Sequence, residues 1–196
     1  MSIQRRRATV KSAEIPSGAA PNRIRGVIGL PERTEAPRYY FKYINRISNG
    51  DILGELASQR GEALDLFSGI SEEKSLTRYA PEKWTIRQVL SHVNDTERVF
   101  LFRAFWFARG FDSPLPSYDQ EVASAHARAD EIPWSKTVDE FDGVRRTTLD
   151  FFGHLPAEAW MKKGIASDNP FTVRALAYIA AGHLAHHMAL LREKYL

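Results

Sequence analysis

Cysteine is absent from the 196-residue chain, which excludes disulfide scaffolds, thiolate metal sites, iron–sulfur clusters and cysteine nucleophiles together. No apolar run approaches the roughly 18 residues of a membrane-spanning helix, and the mean hydropathy is −0.37, so no membrane role is expected. No apolar stretch follows the arginines near the N-terminus, so neither a secretory nor a twin-arginine signal is read there, and the expected location is cytoplasmic. Period-two alternation with β-branched enrichment is also missing, and no strand is expected anywhere. Internal repeats and low-complexity blocks are absent too. What is present is an ordinary globular balance, 43% hydrophobic and 26% charged. That balance and length fit one domain with a tail, large enough to bury a core without cross-links.

The charge is uneven. Residues 1–38 carry eight Lys or Arg (Arg5, Arg6, Arg7, Lys11, Arg23, Arg25, Arg33, Arg38) against Glu14, Glu32 and Glu35. The remainder is slightly acidic, so the pI of 9.2 belongs to the tail. A basic nucleic-acid-binding domain is therefore a poor reading of the whole chain. Residues 1–37 have few large apolar side chains and are broken by Pro16, Pro21, Pro31 and Pro37, which reads as an N-terminal extension. An electrostatic arm centred on Arg5–Arg7 is its sharper reading.

From Arg38 onward the apolar period is helical. A first helix is expected from an Asn49 cap through Ile52, Leu56, Ala63 and Phe67 to Gly69. The second has the best start signal: Thr85 and Gln88 form a capping box, Trp84 and Val89 occupy the staple positions, and the helix runs to Gly110. Residues 111–134 make a long connection, with a few helical turns over Gln120–Ala129. A third helix is expected from a Thr137–Glu140 capping box to Gly153, and a fourth from a Thr172 cap to the C-terminus. The expected architecture is all-α: a four-helix bundle over residues 38–196 with one long crossover.

Three of the six histidines fall in the last helix, as His183-Leu184-Ala185-His186-His187. The i,i+4 spacing sets His183 and His187 one turn apart on the core-facing stripe, where both imidazoles can reach one ion. The alternative is two histidines packed at a helix surface. Leu184 stands where a zincin needs Glu, so metalloprotease chemistry is not supported. His92 in the second helix can supply a third imidazole across the bundle. Three neutral ligands leave a coordination position open, the pattern of a catalytic site, and suit zinc, nickel, iron or cobalt. Asp95, one turn past His92, can orient its free ring N–H or pair with Arg98. Asp119, beside Tyr118, lies on the connection that can cover the site and is the candidate proton carrier. His186 lies beside the site's face; His126 and His154 belong to polar connections. Glu97 and Arg103 are expected to pair with other helices or a neighbouring subunit.

Residues Arg78–Gly110 resemble the DinB-like (DinB/YfiT) family of four-helix bundle metalloenzymes. The family's K-W-[ST]-I-x-x-[VL]-x-x-H-x-x-D-x-E-R pattern is met by Lys83, Trp84, Thr85, Ile86, Val89, His92, Asp95, Glu97 and Arg98. Pro114–Gln120 is similar to its connecting loop, and Thr172–Leu196 to its last helix with the H-x-x-H-H signature. The resemblance covers roughly residues 38–196. It implies divalent-metal ligation by His92, His183 and His187. It also implies transferases or isomerases that use low-molecular-weight thiols, alongside stress-associated members. A shared fold does not settle the reaction.

The leading functional reading is a metal-dependent S-transferase or related hydrolase in which the metal activates water or a small thiol against a small electrophilic substrate. With no cysteine in the chain, the thiol must be a cosubstrate. A non-catalytic metal-binding stress protein is the second reading, and a nucleic-acid accessory protein using the basic arm the third. The aromatics Phe100, Phe102, Phe105, Trp106 and Phe107 surround the second helix beyond what one core face needs, so a homodimer is expected.

Overall fold

The computed structural model describes residues 28–196. The Arg5–Arg7 arm lies outside them. The order is α1 (Phe41–Ile44), α2 (Ile52–Ser68), α3 (Glu72–Ser75), α4 (Ile86–Ala108), α5 (Gln120–Ala127), α6 (Trp134–Gly153), β1 (Lys163–Ala166), β2 (Asn169–Thr172) and α7 (Val173–Lys194). The four long helices α2, α4, α6 and α7 form the bundle: α4 packs against α6 and α7, and α2 packs against the same two.

Local chemistry explains most of the helix starts. At α4, the Gln88 N–H donates to Thr85 Oγ1 at 3.0 Å and the Thr85 N–H donates to Gln88 Oε1 at 2.9 Å, so both arms of the capping box form. Thr172 caps α7 by accepting from the Ala175 N–H at 3.0 Å. Two starts differ from expectation. Asp51, not Asn49, caps α2, accepting from the Gly54 N–H, while Asn49 Oδ1 accepts from the Asp51 N–H and orders the preceding turn. Helix α6 begins at Trp134, behind Pro133, three residues before the expected capping box. Glu72 Oε2, from α3, accepts the Trp134 N–H at 2.8 Å, a cap supplied across the fold and invisible in the local pattern.

The hairpin is the main departure. Strands β1 and β2 pair antiparallel, Ala166 opposite Asn169, around a turn in which Ser167 and Asp168 both have positive φ. Four-residue strands containing Gly164 and Pro170 carry no alternation to read. Tertiary packing holds them: Ala166 and Phe171 are buried, and the Leu115 N–H donates to Ile165 O at 2.9 Å. A Cβ on Gly164 would fall 2.1 Å from the Phe107 ring, so only glycine lets the hairpin sit against α4.

Two apolar clusters fill the bundle. One gathers Phe100, Phe107, Phe152, Phe171 and Leu176; the other gathers Phe67, Leu90, Trp134, Phe141 and Met188. Between them each long helix contributes polar residues: Gln59 from α2, Glu97 from α4, Arg145 and Thr148 from α6, and His183 from α7, all buried. Arg145 donates to both carboxylate oxygens of Glu97, each at 2.8 Å, and from Nη1 to Leu56 O and Gln59 Oε1, each at 3.3 Å. Tyr43 of α1 reaches this layer because α7 has glycine at 182, where a Cβ would lie 2.1 Å from Tyr43 O. Residues 28–37 dock on the start of α7: the Thr172 N–H donates to Glu35 O at 3.0 Å, and Glu35 pairs with Arg174.

Candidate metal centre

Helix α4 presents His92, and one turn of α7 presents His183 and His187. The three side chains meet at the polar layer, and His183 stands at its centre. Its Nε2 lies 3.1 Å from His92 Nε2 and 3.1 Å from His187 Nε2. All three residues are between 4% and 9% exposed. Around them, Thr96 Oγ1 lies 3.2 Å from His92 Nδ1, Trp84 packs 5.0 Å from the His92 ring, and Tyr43 stands edge-on to His183 at 5.2 Å.

The donor set suits a divalent ion. Two nitrogens each ~2.0–2.1 Å from a tetrahedral metal are about 3.3 Å apart, close to both 3.1 Å separations. Without a cation the arrangement is unsatisfied, because His183 Nε2 has either one proton or one lone pair to share with two neighbours. His187 Nδ1 is buried with no hydrogen-bond partner among the described residues. Burial, reinforced by repulsion from neighbouring histidines, pushes His92 down to about 4 and His187 down to about 3, and holds His183 well below the ordinary imidazole range. Neutral imidazole is the form that ligates a metal.

The other candidates lie around this centre with different partners. Asp95 pairs with Arg98 at 3.1 Å, so the Nδ1 partner of His92 is Thr96 rather than Asp95. Asp119 caps α5, accepting from the Glu121 and Val122 N–H groups, and is exposed. His186 turns toward Arg46, with 3.2 Å between its Nδ1 and Arg46 Nη2. His126 Nδ1 lies 2.8 Å from Val122 O, and His154 is exposed at the C-terminal cap of α6. Glu97 pairs with Arg145 of α6, whereas Arg103 meets the connection and the hairpin rather than a helix.

Two clefts reach the histidines. One, of about 200 Å³, is lined by His183, Thr96, Phe100, Arg103, Tyr118 and Ser167 among others. The second touches His187 beside Trp84 and Tyr195, and Gln120 at the start of α5 borders both. Burial holds the Tyr118 phenol above its usual range, with the Asp95 charge adding to it, so the hydroxyl stays protonated at neutral pH. The sequence pattern missed Arg103 as a cleft residue. The signal was helical spacing: His92, Thr96, Val99 and Arg103 follow one face of α4.

Comparison with known proteins agrees with the fold. No curated protein matches the sequence significantly. Among solved structures, YfiT from Bacillus subtilis is described as a probable metal-dependent hydrolase with an unusual four-helix bundle topology. It superposes with a TM-score of 0.62 at 17% identity, covering 83% of this chain and 89% of its own. The DinB superfamily model matches residues 55–191, from within α2 to within α7 and across all three histidines. The chain belongs to the DinB superfamily.

Proposed function

We propose that this protein is a divalent-metal-dependent enzyme, with His92, His183 and His187 as ligands, acting on a small electrophilic substrate by hydrolysis or by transfer to a low-molecular-weight thiol. The observation that carries the reading is the convergence of three buried Nε2 atoms at the wall of a cleft. A zinc, nickel, iron or cobalt ion held there supplies Lewis acidity toward a water or thiol in the cleft. The chain's own groups do the rest. Thr96 fixes the His92 ring, Trp84 and Tyr43 shield two flanks of the imidazoles, and Tyr118 offers a phenolic proton to a developing negative charge. No helix among the described residues is long and apolar enough to cross a membrane.

The test is turnover of p-nitrophenyl acetate, and conjugation of chlorodinitrobenzene with glutathione or cysteine, by protein loaded with each metal. Metal-dependent turnover is expected in one assay, falling by about 100-fold in Tyr118→Phe. Inactivity in both assays with every metal would favour the second reading, metal storage or sensing, which the burial of the three histidines also supports. We further propose that two copies associate over the aromatic face of α4. Phe102 and Phe105 are exposed beside Trp106, itself stacked on exposed Phe111 at 4.1 Å, and light scattering at twice the chain mass would bear this out.

A further inference from the structure

Three arginines among the described residues are buried to between 0% and 3% exposure: Arg87, Arg103 and Arg145. A buried guanidinium needs a compensating charge, because desolvation is costly and neutral hydrogen bonds recover only part of it. Arg145 has Glu97, and Arg87 has Glu72 Oε1 at 2.6 Å. Arg103 takes part in none of the ion pairs among the described residues. Its Nη2 donates to Pro116 O at 3.2 Å and Ser167 Oγ at 3.0 Å. The Phe171 ring, 6.0 Å from Cζ, sits at the edge of cation–π range. Nε and Nη1 have no acceptor among the described residues, yet neither is among the sealed, unpartnered atoms, which are Asn94 Oδ1, Trp160 Nε1 and His187 Nδ1. They are therefore not sealed, and Arg103 borders two adjoining clefts, one of which His183 also lines.

We propose that Arg103 binds the carboxylate of a small organic acid in this cleft, so that the substrate class is an acid with its reacting centre several bonds from the carboxylate. The spacing supports this. Arg103 lies eleven positions after His92 on α4, about 16 Å along the axis, shortened because arginine on a helix leans toward the N-terminus. The cleft's other polar groups among the described residues are neutral: the hydroxyls of Thr96, Ser167 and the tyrosines Tyr39, Tyr40, Tyr43 and Tyr118, the amide of Gln120 and the imidazole of His183. Among the described residues no carboxylate lines it, and Arg103 is its one fixed charge. The adjoining apolar cleft shares Val99, Arg103 and Tyr118 with it and gives room for a hydrocarbon portion. In that second wall Arg98 is already paired with Asp95 and Glu140.

This inference rests on reading the cleft as the substrate site, and it is tested on metal-free protein so that it can fail independently of the metal assignment. The probes are phenylacetate and its neutral isostere phenylacetamide, titrated by calorimetry. The acid is expected to bind about tenfold tighter than the amide, as a charged hydrogen-bonded contact implies. Arg103→Gln should abolish the preference and Arg103→Lys should keep part of it. Ser167→Ala removes a hydrogen bond of the same arginine without touching its charge and should retain the preference, which separates binding from a structural tie. Equal binding of acid and amide, no saturable binding of either, or an unchanged preference in Arg103→Gln would overturn the proposal. So would phenylphosphonate binding tighter than phenylacetate, by assigning the site to phosphoryl groups.

Discussion

Arg145→Ala is expected to lower the free energy of unfolding by about 3–5 kcal/mol, because it strands the Glu97 carboxylate in the middle of the bundle. The pair is bidentate, each contact 2.8 Å, with both partners buried, and Arg145 Nη1 donates to Leu56 O and Gln59 Oε1 of α2. Against a typical domain stability of about 5–15 kcal/mol, this is a large fraction. Much of the loss should come from the abandoned charge rather than from the broken contact, so the double variant Arg145→Met, Glu97→Leu should cost much less than the two single changes added. By contrast Lys136→Ala breaks an exposed pair at 3.1 Å and should cost less than about 1 kcal/mol. Urea denaturation followed by circular dichroism measures all of these. A loss below about 1 kcal/mol for Arg145→Ala would mean that the polar layer does not tie α2, α4 and α6 together.

The long helices and their order were legible because each carries a sustained apolar period, and α4 and α7 carry caps made from their own residues. What escaped was whatever another part of the chain supplies. Trp134 begins α6 because Glu72, 62 positions away, accepts its N–H. The hairpin exists because Phe107, Leu115 and Phe171 hold four-residue strands that have no period of their own. In the site, spacing sets His183 and His187 one turn apart on one face, whereas His92 lies on another helix and was joined to them by the family pattern. Asp95 was read either as the group that orients His92 or as the partner of Arg98, and Asp119 as a proton carrier because its connection can cover the site. Here Arg98 and the amides opening α5 engage them first. Arg103 was expected to pair with another helix or a neighbouring subunit, and its place in the cleft escaped because its partners, Pro116 O and Ser167 Oγ, come from the connection and the hairpin.

The second large effect concerns acid. The three histidines are neutral when folded and ionise with a pKa of ~6.5 when unfolded. Burial is the main cause of the depression, to about 4 for His92, about 3 for His187, and well below normal for His183. Between those values the unfolded chain binds more protons than the folded one, so stability rises with pH. It should be complete above ~6.5 and fall toward pH 5 by about 1.4 kcal/mol per pH unit for each excess proton. The carboxylates whose pKa is lowered by partners, Glu35, Glu72 and Asp142, lose their contributions only at more acid pH, below their unfolded range near 4.5. The window from pH 7 to 5 therefore reports mainly the buried histidines, with His186, also lowered by burial, adding to the decline and Asp95, raised by burial, opposing it. Unfolding free energies measured across it should decline steeply in metal-free wild type and less steeply in His187→Ala. Zinc at about 100 times its dissociation constant should add about 2.7 kcal/mol at pH 7.5, and much less at pH 5, where protons compete for the same nitrogens.

The central claim is that His92, His183 and His187 together hold one divalent ion, and calorimetric titration of zinc into metal-free protein at pH 7.5, in wild type and His187→Ala, tests it most directly. The account predicts one tightly bound equivalent in wild type, weakened by more than about 100-fold in the variant, since loss of a ligand should exceed the 10–100-fold cost of losing a supporting residue. Equal stoichiometry and affinity in the two proteins would mean that the ion binds elsewhere and would contradict the assignment.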